Sequence, residues 1–130
     1  MMTGMLGTYL AAAELTSRDF IVTVTSRNAR GADLLVADQE YKRTWSVQVK
    51  TNRKAASFWL LSKDYKEIVS PTHLYLFVNL RGEQRPDYYL VPSKIVAKNG
   101  TTTPHAGGSI WYSFSRDAAE RYHECWQMFG

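Results

Sequence analysis

GADLLVADQEYKRTWSVQVKT, residues 31–51, decides how this chain reads. Its second half alternates without a break, with Trp45, Val47 and Val49 on one side of an extended strand and Thr44, Ser46, Gln48 and Lys50 on the other, because successive strand side chains point to opposite faces. In the first half, residues 33–37 are apolar behind one carboxylate, and residues 38–43 are polar and short enough to turn the chain back. A hairpin built this way lays Asp33 beside Gln48 and Lys50, since 48 and 50 share a face. One face is core; the other carries a carboxylate, an amide and an ammonium.

Working outward, residues 20–25 (FIVTVT) are β-branched and lack a helical period, which predicts a strand. Residues 4–17 set Thr8, Ala11, Ala12 and Leu15 at helical spacing, widened by Leu6 and Leu10, which predicts a largely buried first helix. Residues 26–31 form a polar, basic loop. Downstream, residues 57–61 have strand composition, and Ser62 is placed to cap a short helix ending before Pro71. Residues 73–80 (HLYLFVNL) are a nearly continuous apolar run, as an interior strand covered on both faces requires. Residues 87–91 predict a strand, 93–98 a short helix stopped at Asn99-Gly100, 110–114 a last strand, and Ser115 the cap of a terminal helix through residues 121–126. Residues 101–109 (TTTPHAGGS) read as a loop long and Gly-rich enough to be a mobile flap or a surface connection.

At 130 residues and 45% hydrophobic content the chain can bury one core but not two, so residues 1–130 are read as a single domain. Sixteen Lys and Arg against 12 Asp and Glu give +4, an excess that suits a polyanion without demanding one. Cys125 is the lone cysteine, which rules out an intramolecular disulfide and makes a cytoplasmic protein the simpler reading. Residues 5–13 have a superficial likeness to a signal peptide, but no Lys or Arg precedes them and Glu14 follows at once. No apolar run reaches the ~20 residues a membrane span needs.

The order helix, strand, Asp-bearing strand, turn, Gln-x-Lys strand, helix, strand is similar to the core of the PD-(D/E)xK nuclease superfamily. In its motifs the chain most resembles the archaeal Holliday-junction resolvases and the Mrr-type restriction endonucleases, some of which carry Gln at the middle motif position. The resemblance covers residues 4–80. It implies an α/β, single-domain restriction-endonuclease-like core (αβββαβ, a mixed central sheet flanked by helices) and metal-dependent hydrolysis of DNA phosphodiesters. Carried over by position, Asp33 holds Mg²⁺ or Mn²⁺, Gln48 completes its coordination, and Lys50 assists the attacking water. Hard oxygen donors are what such a cation selects, and it keeps several waters beside them.

The same resemblance implies double-stranded or branched DNA as partner, no membrane, and a homodimer. Arg27, Arg30, Arg43, Arg53 and Lys54 flank the motif strands and can bind phosphates, or simply form a solvated surface. One position departs from the pattern: where the family's first helix often supplies a further metal-binding Glu, this chain has Thr8. Glu14 lies on another sector of the helix. Asp33 is then the one formal negative charge at the metal, which implies weak binding. The alternative is a catalytically inactive module of the same fold that binds nucleic acid or a protein partner; an unrelated small α/β domain with a coincidental QVK strand is a third.

Other candidates carry less. His73, His105 and His123 are scattered, and His123 with Cys125 makes half a zinc site at most. Asp117, Glu120 and Glu124 recur as a solvated helix face would. Gly107-Gly108 lacks the Lys and the helix of a phosphate loop. Tyr88, Tyr89, Trp111 and Tyr112 can stack bases, though aromatics at strand spacing more often build a core.

Overall fold

The computed structural model describes residues 2–26 and 31–130. The alternating stretch forms β3 (Thr44–Asn52), which lies at the middle of a five-stranded sheet with β1 (Ile21–Val24), β2 (Leu34–Ala37), β5 (His73–Arg81) and β6 (Gln84–Pro92) in the order β1-β2-β3-β5-β6. All neighbours are antiparallel except β3 and β5, which run parallel, so the sheet is mixed. A parallel pair needs a crossover. Here it carries β4 (Phe58–Leu60), which joins β7 (Thr101–Pro104) and β8 (Ile110–Ser115) in a second sheet of order β4-β8-β7.

Helix α1 (Thr3–Ser17) covers one face of the large sheet, burying Gly7, Ala11 and Leu15. The stripe is rotated from the expected one: Gly7 replaces Thr8 and Leu6 at the contact, and Leu6 is exposed. The cause is close approach. A Cβ at residue 7 would collide with the Thr51 side chain on β3, so only glycine lets the helix settle there. Beneath it Val36, Trp45, Val47, Leu76 and Leu90 form a mostly aliphatic core.

The opposite face is covered over β5 and β6 only. There Trp59 and Phe114 of the small sheet, Val96 of α2 (Ser93–Asn99) and Ala119 of α3 (Arg116–Ala119) pack on Tyr75, Phe77, Tyr89 and Val91. Phe77 stacks on Tyr75 and on Phe114 at ring distances of 5.5 and 5.1 Å. Trp59 Nε1 donates to the Val78 carbonyl at 2.9 Å, and buried Asn79 accepts from Asn52 and donates to the Ala56 carbonyl, so the small sheet is hydrogen-bonded to the large one. With both faces covered, residues 73–80 are all buried, as the apolar run required.

Three expectations fail. The helix after Ser62 is absent: residues 63–67 form successive turns, with Tyr65 N donating to Ser62 O and Glu67 N to Asp64 O. Only Tyr65 is buried there, Ile68 half so and Val69 exposed, and so short a helix without a packed stripe is not stable. The loop at residues 101–109 is shorter than read: residues 101–104 form β7, and only 105–109 are a surface connection, leading to β8. The terminal helix is cut to α3, which Ser115 does cap by accepting from Ala118 N at 3.1 Å. Beyond it the chain bridges β6 at Tyr89–His123, turns at Glu124 with φ 54°, and inserts Trp126 and Phe129 into the aliphatic core. A continued helix could not reach that core.

Candidate active site

β2 and β3 pair in the register Leu34–Val47, so Asp33 stands just beyond the end of that ladder, where the two strands part. Its carboxylate fills the gap: Oδ2 accepts from Val49 N at 2.7 Å, while its own N–H donates to Val47 O at 2.8 Å and its carbonyl accepts from Thr25 N at 3.0 Å. Gly31 makes the approach possible with φ 69°, a left-handed conformation that suits glycine, and Ile68 leaves little room for a side chain there. The Asp33 backbone is therefore held by the strands on both sides and its carboxylate by the Val49 N–H, so its position follows from the hairpin itself.

Gln48 and Lys50 share a face of β3 with Ser46, the face opposite α1, and lie in register with Tyr75 and Phe77 of β5. Leu35 and Thr23 lie on that same face over β1 and β2, and both are exposed among the described residues. Gln48 and Lys50 thus stand on the boundary between a dry half and a bare half. Burial holds the Lys50 ammonium below the ordinary lysine pKa, against the opposing pull of Asp33 and Asp64. Burial of this kind shifts a lysine's proton equilibrium in a way that a surface lysine does not experience.

Asp64 escaped the sequence reading. It comes from the turns that replace the expected helix, and its field also reaches Tyr75, whose hydroxyl is pushed up to about 12, first by burial and then by Asp64. Nothing in its spacing marks it; only the path of the crossover brings it over β3 and β5. Next along the row, Ser46 Oγ and His73 Nδ1 lie 2.6 Å apart, and buried His73 keeps Nε2 without a partner. Burial lowers the His73 pKa, so the ring stays neutral. Glu67, Ile68 and Ala32 complete a cleft against this pair.

Thr8 lines the same cleft as Asp33, together with Gly4, Tyr9, Thr25 and Val49. The helix position that the resemblance singles out therefore does face the carboxylate. It presents a hydroxyl turned back on its own helix, donating to Gly4 O at 3.0 Å. Glu14 is engaged elsewhere, paired with Arg18 at 3.0 Å and with Arg85 at 2.9 Å.

Among the described residues, the basic side chains are not gathered at one place. Arg43 sits at the far, hairpin end of β3, near Asp38 and over the Trp45 ring. Arg53 and Lys54 are exposed just past the other end and line a cleft with Leu6, Leu10 and Leu80. Arg27 and Arg30 lie outside the described residues. Tyr88 and Tyr89 are core, Tyr112 is half-buried, and Trp111 is exposed.

Among the described residues, no three His, Cys, Asp or Glu side chains cluster into a ready-made metal cage. A Mg²⁺ ion asks for less, since one or two protein oxygens with water and substrate phosphate fill its octahedral shell. The carboxylate of Asp33, in the cleft shared with Thr8, can supply one such oxygen to an ion held that loosely.

No known family model and no curated protein sequence matches the chain. Among solved structures, it is similar to Archaeoglobus fulgidus Hjc, a Holliday junction resolvase from an archaeal hyperthermophile, with a TM-score of 0.54 over 87% of this chain and 91% of that one. At 9% identity the likeness is one of fold alone, and the fold is restriction-endonuclease-like. Among the described residues no helix is long and apolar enough to cross a membrane.

Proposed function

We propose that the protein is a metal-dependent DNA endonuclease whose site is Asp33, Gln48 and Lys50. The observation that carries the reading is the pairing of a main-chain-anchored carboxylate with a partly desolvated lysine on adjacent strands, in the fold of a Holliday junction resolvase. Asp33 and Gln48 hold Mg²⁺ or Mn²⁺ weakly. When bound, the ion supplies charge neutralisation of the scissile phosphate and activation of water.

The chain's own groups do the rest. Lys50 orients the attacking water, takes up its proton when in the neutral form that burial favours, and in the charged form steadies negative charge growing on the phosphate. Asp64 adds a second negative charge that Lys50 feels, and so helps set how readily Lys50 gives up its proton. Arg53 and Lys54, past the end of β3, bind backbone phosphates without regard to sequence. The substrate is double-stranded or branched DNA, and the enzyme works as a cytoplasmic homodimer.

The hydroxyl of Thr8, turned back on Gly4, favours one rival: a module that keeps the fold and binds nucleic acid or a protein without cutting. Incubating the protein with supercoiled plasmid and a four-way junction in Mg²⁺ or Mn²⁺, beside Asp33→Asn and Lys50→Ala, separates the two. Metal-dependent cleavage confined to the parent supports the nuclease. A mobility shift without cleavage supports the binding module, and neither effect at low salt removes the nucleic-acid reading altogether.

A further inference from the structure

The outer face of the small sheet takes no part in the site described above. In β4, Trp59 points inward while Phe58 and Leu60 point out; the β4–β8 and β7–β8 registers put Ser113, Ser115, Trp111, Thr101 and Thr103 on that same outer side. Phe58 is 38% exposed, Leu60 54% and Trp111 41%. Phe58 and Trp111 lie 6.3 Å apart, and His105 stacks on Trp111 at 4.1 Å with planes 27° from parallel. Aromatic faces in solvent, interleaved with hydroxyls on a flat sheet, form an unusual surface for a chain with a well-filled core.

We infer that this face is a stacking platform for the unpaired bases of single-stranded nucleic acid. Charge selects the occupant. None of the three strands contains an acidic or basic residue, and the exposed residues flanking them are mainly cationic, with Arg53 and Lys54 ahead of β4 and Lys63 and Lys98 toward its other end against Asp117 after β8 and the half-buried Asp64. A neutral aromatic floor between cationic ends is what a single strand requires, because every base has a π face and every linkage a charge. The hydroxyls can bond base edges or sugars without fixing a sequence.

The platform also adjoins the candidate site. Asn52, the next residue after Lys50 on its face of β3, donates from Nδ2 to the Phe58 carbonyl at 2.8 Å. The segment holding Arg53 and Lys54 joins the Lys50 strand directly to Phe58. The inference rests on the nucleic-acid reading above for the identity of its partner, and it adds a substrate class: duplexes that carry an unpaired arm or gap.

Fluorescence anisotropy with labelled oligo(dT) and a hairpin duplex tests the inference on the full chain, comparing the parent with Trp111→Ala, Phe58→Ala and the double variant, each checked for an unchanged melting temperature. The expected result is tenfold or greater loss of oligo(dT) affinity in the double variant, with duplex affinity retained and intrinsic tryptophan emission quenched by oligo(dT) in the parent only. Trp111→Phe, which keeps a ring, should recover most of the binding. Unchanged oligo(dT) affinity in the double variant overturns the inference, as does a parent that does not bind oligo(dT) at low salt. So does a parent dimer that dissociates on the double substitution with oligo(dT) binding intact, which would make the face a protein interface. Loss of cleavage is read on Asp33→Asn and loss of oligo(dT) affinity on the double variant, so failure of the active-site reading and failure of the platform give different results.

Discussion

The sheet face opposite α1 has two halves built from similar strands with opposite fates. Over β5 and β6, Tyr75, Phe77, Tyr89 and Val91 are sealed beneath the small sheet; over β1 and β2, Leu35 and Thr23 meet solvent. The border runs along β3, through Ser46, Gln48 and Lys50. Placed wholly on the bare side, Lys50 would keep an ordinary ammonium; placed wholly under Trp59 and Phe114, it would be an unpaired buried charge. At the border it is partly desolvated, and Asp33 and Asp64 are near enough to oppose the effect. Partial cover is therefore what lowers the Lys50 pKa without making it an unpaired buried charge.

The strongest way to break the comparison is to remove the border group. Lys50→Ala should lower metal-dependent cleavage by about 10²- to 10⁴-fold in single-turnover assays while leaving the melting temperature unchanged or higher, since a partly desolvated charge is lost. A drop in both would mean that Lys50 is structural.

The two halves should also differ in stability. Phe77→Ala on the covered half should cost about 3–5 kcal/mol, whereas Leu35→Ser on the bare half should stay within about 0.5 kcal/mol. Urea denaturation reads both, and comparable losses would show that the bare half is covered in solution.

Asp64 sharpens the border electrostatically. Because its charge raises the Lys50 pKa, Asp64→Asn should move the pH–rate limb that depends on neutral Lys50 to lower pH, and should bring the Tyr75 hydroxyl down from about 12. Ultraviolet titration of tyrosinate checks the second effect independently of cleavage.

The smallest effect belongs to His73. Burial sets its folded pKa below the unfolded value, so its contribution to stability is complete above the ordinary histidine pKa and is lost as pH falls through the lower folded one. The melting temperature should decline on acidification from neutral pH, and His73→Gln should flatten that slope.

Where one residue's environment is set by its neighbours in sequence, the chain could be read directly. The alternation of residues 44–50 gave β3 its two faces, and the unbroken run 73–80 marked β5 as covered twice. Asp33 was placed by the shortness of the turn at 38–43. What could not be read depends on distant packing. Asp64 matters because the crossover drops it beside Lys50, and no local spacing records that. Residues 101–109 look like a loop because Thr, Pro and Gly dominate, yet β8 supplies the partner that makes 101–104 a strand. The segment after Ser62 carries a helix cap but no stripe to bury, and the last residues turn away to fill the aliphatic core with Trp126 and Phe129. Thr8 was legible as a departure; that its hydroxyl bonds Gly4 was not.

Titration of the ¹⁵N-labelled protein with Mn²⁺, followed by paramagnetic broadening of backbone amides, tests the central claim without relying on turnover. The amides of Asp33 and of residues 47–50 should broaden first, with Thr8 close behind, and Asp33→Asn should abolish the effect. Broadening centred on another carboxylate, or an Asp33→Asn spectrum that broadens like the parent's, would contradict it.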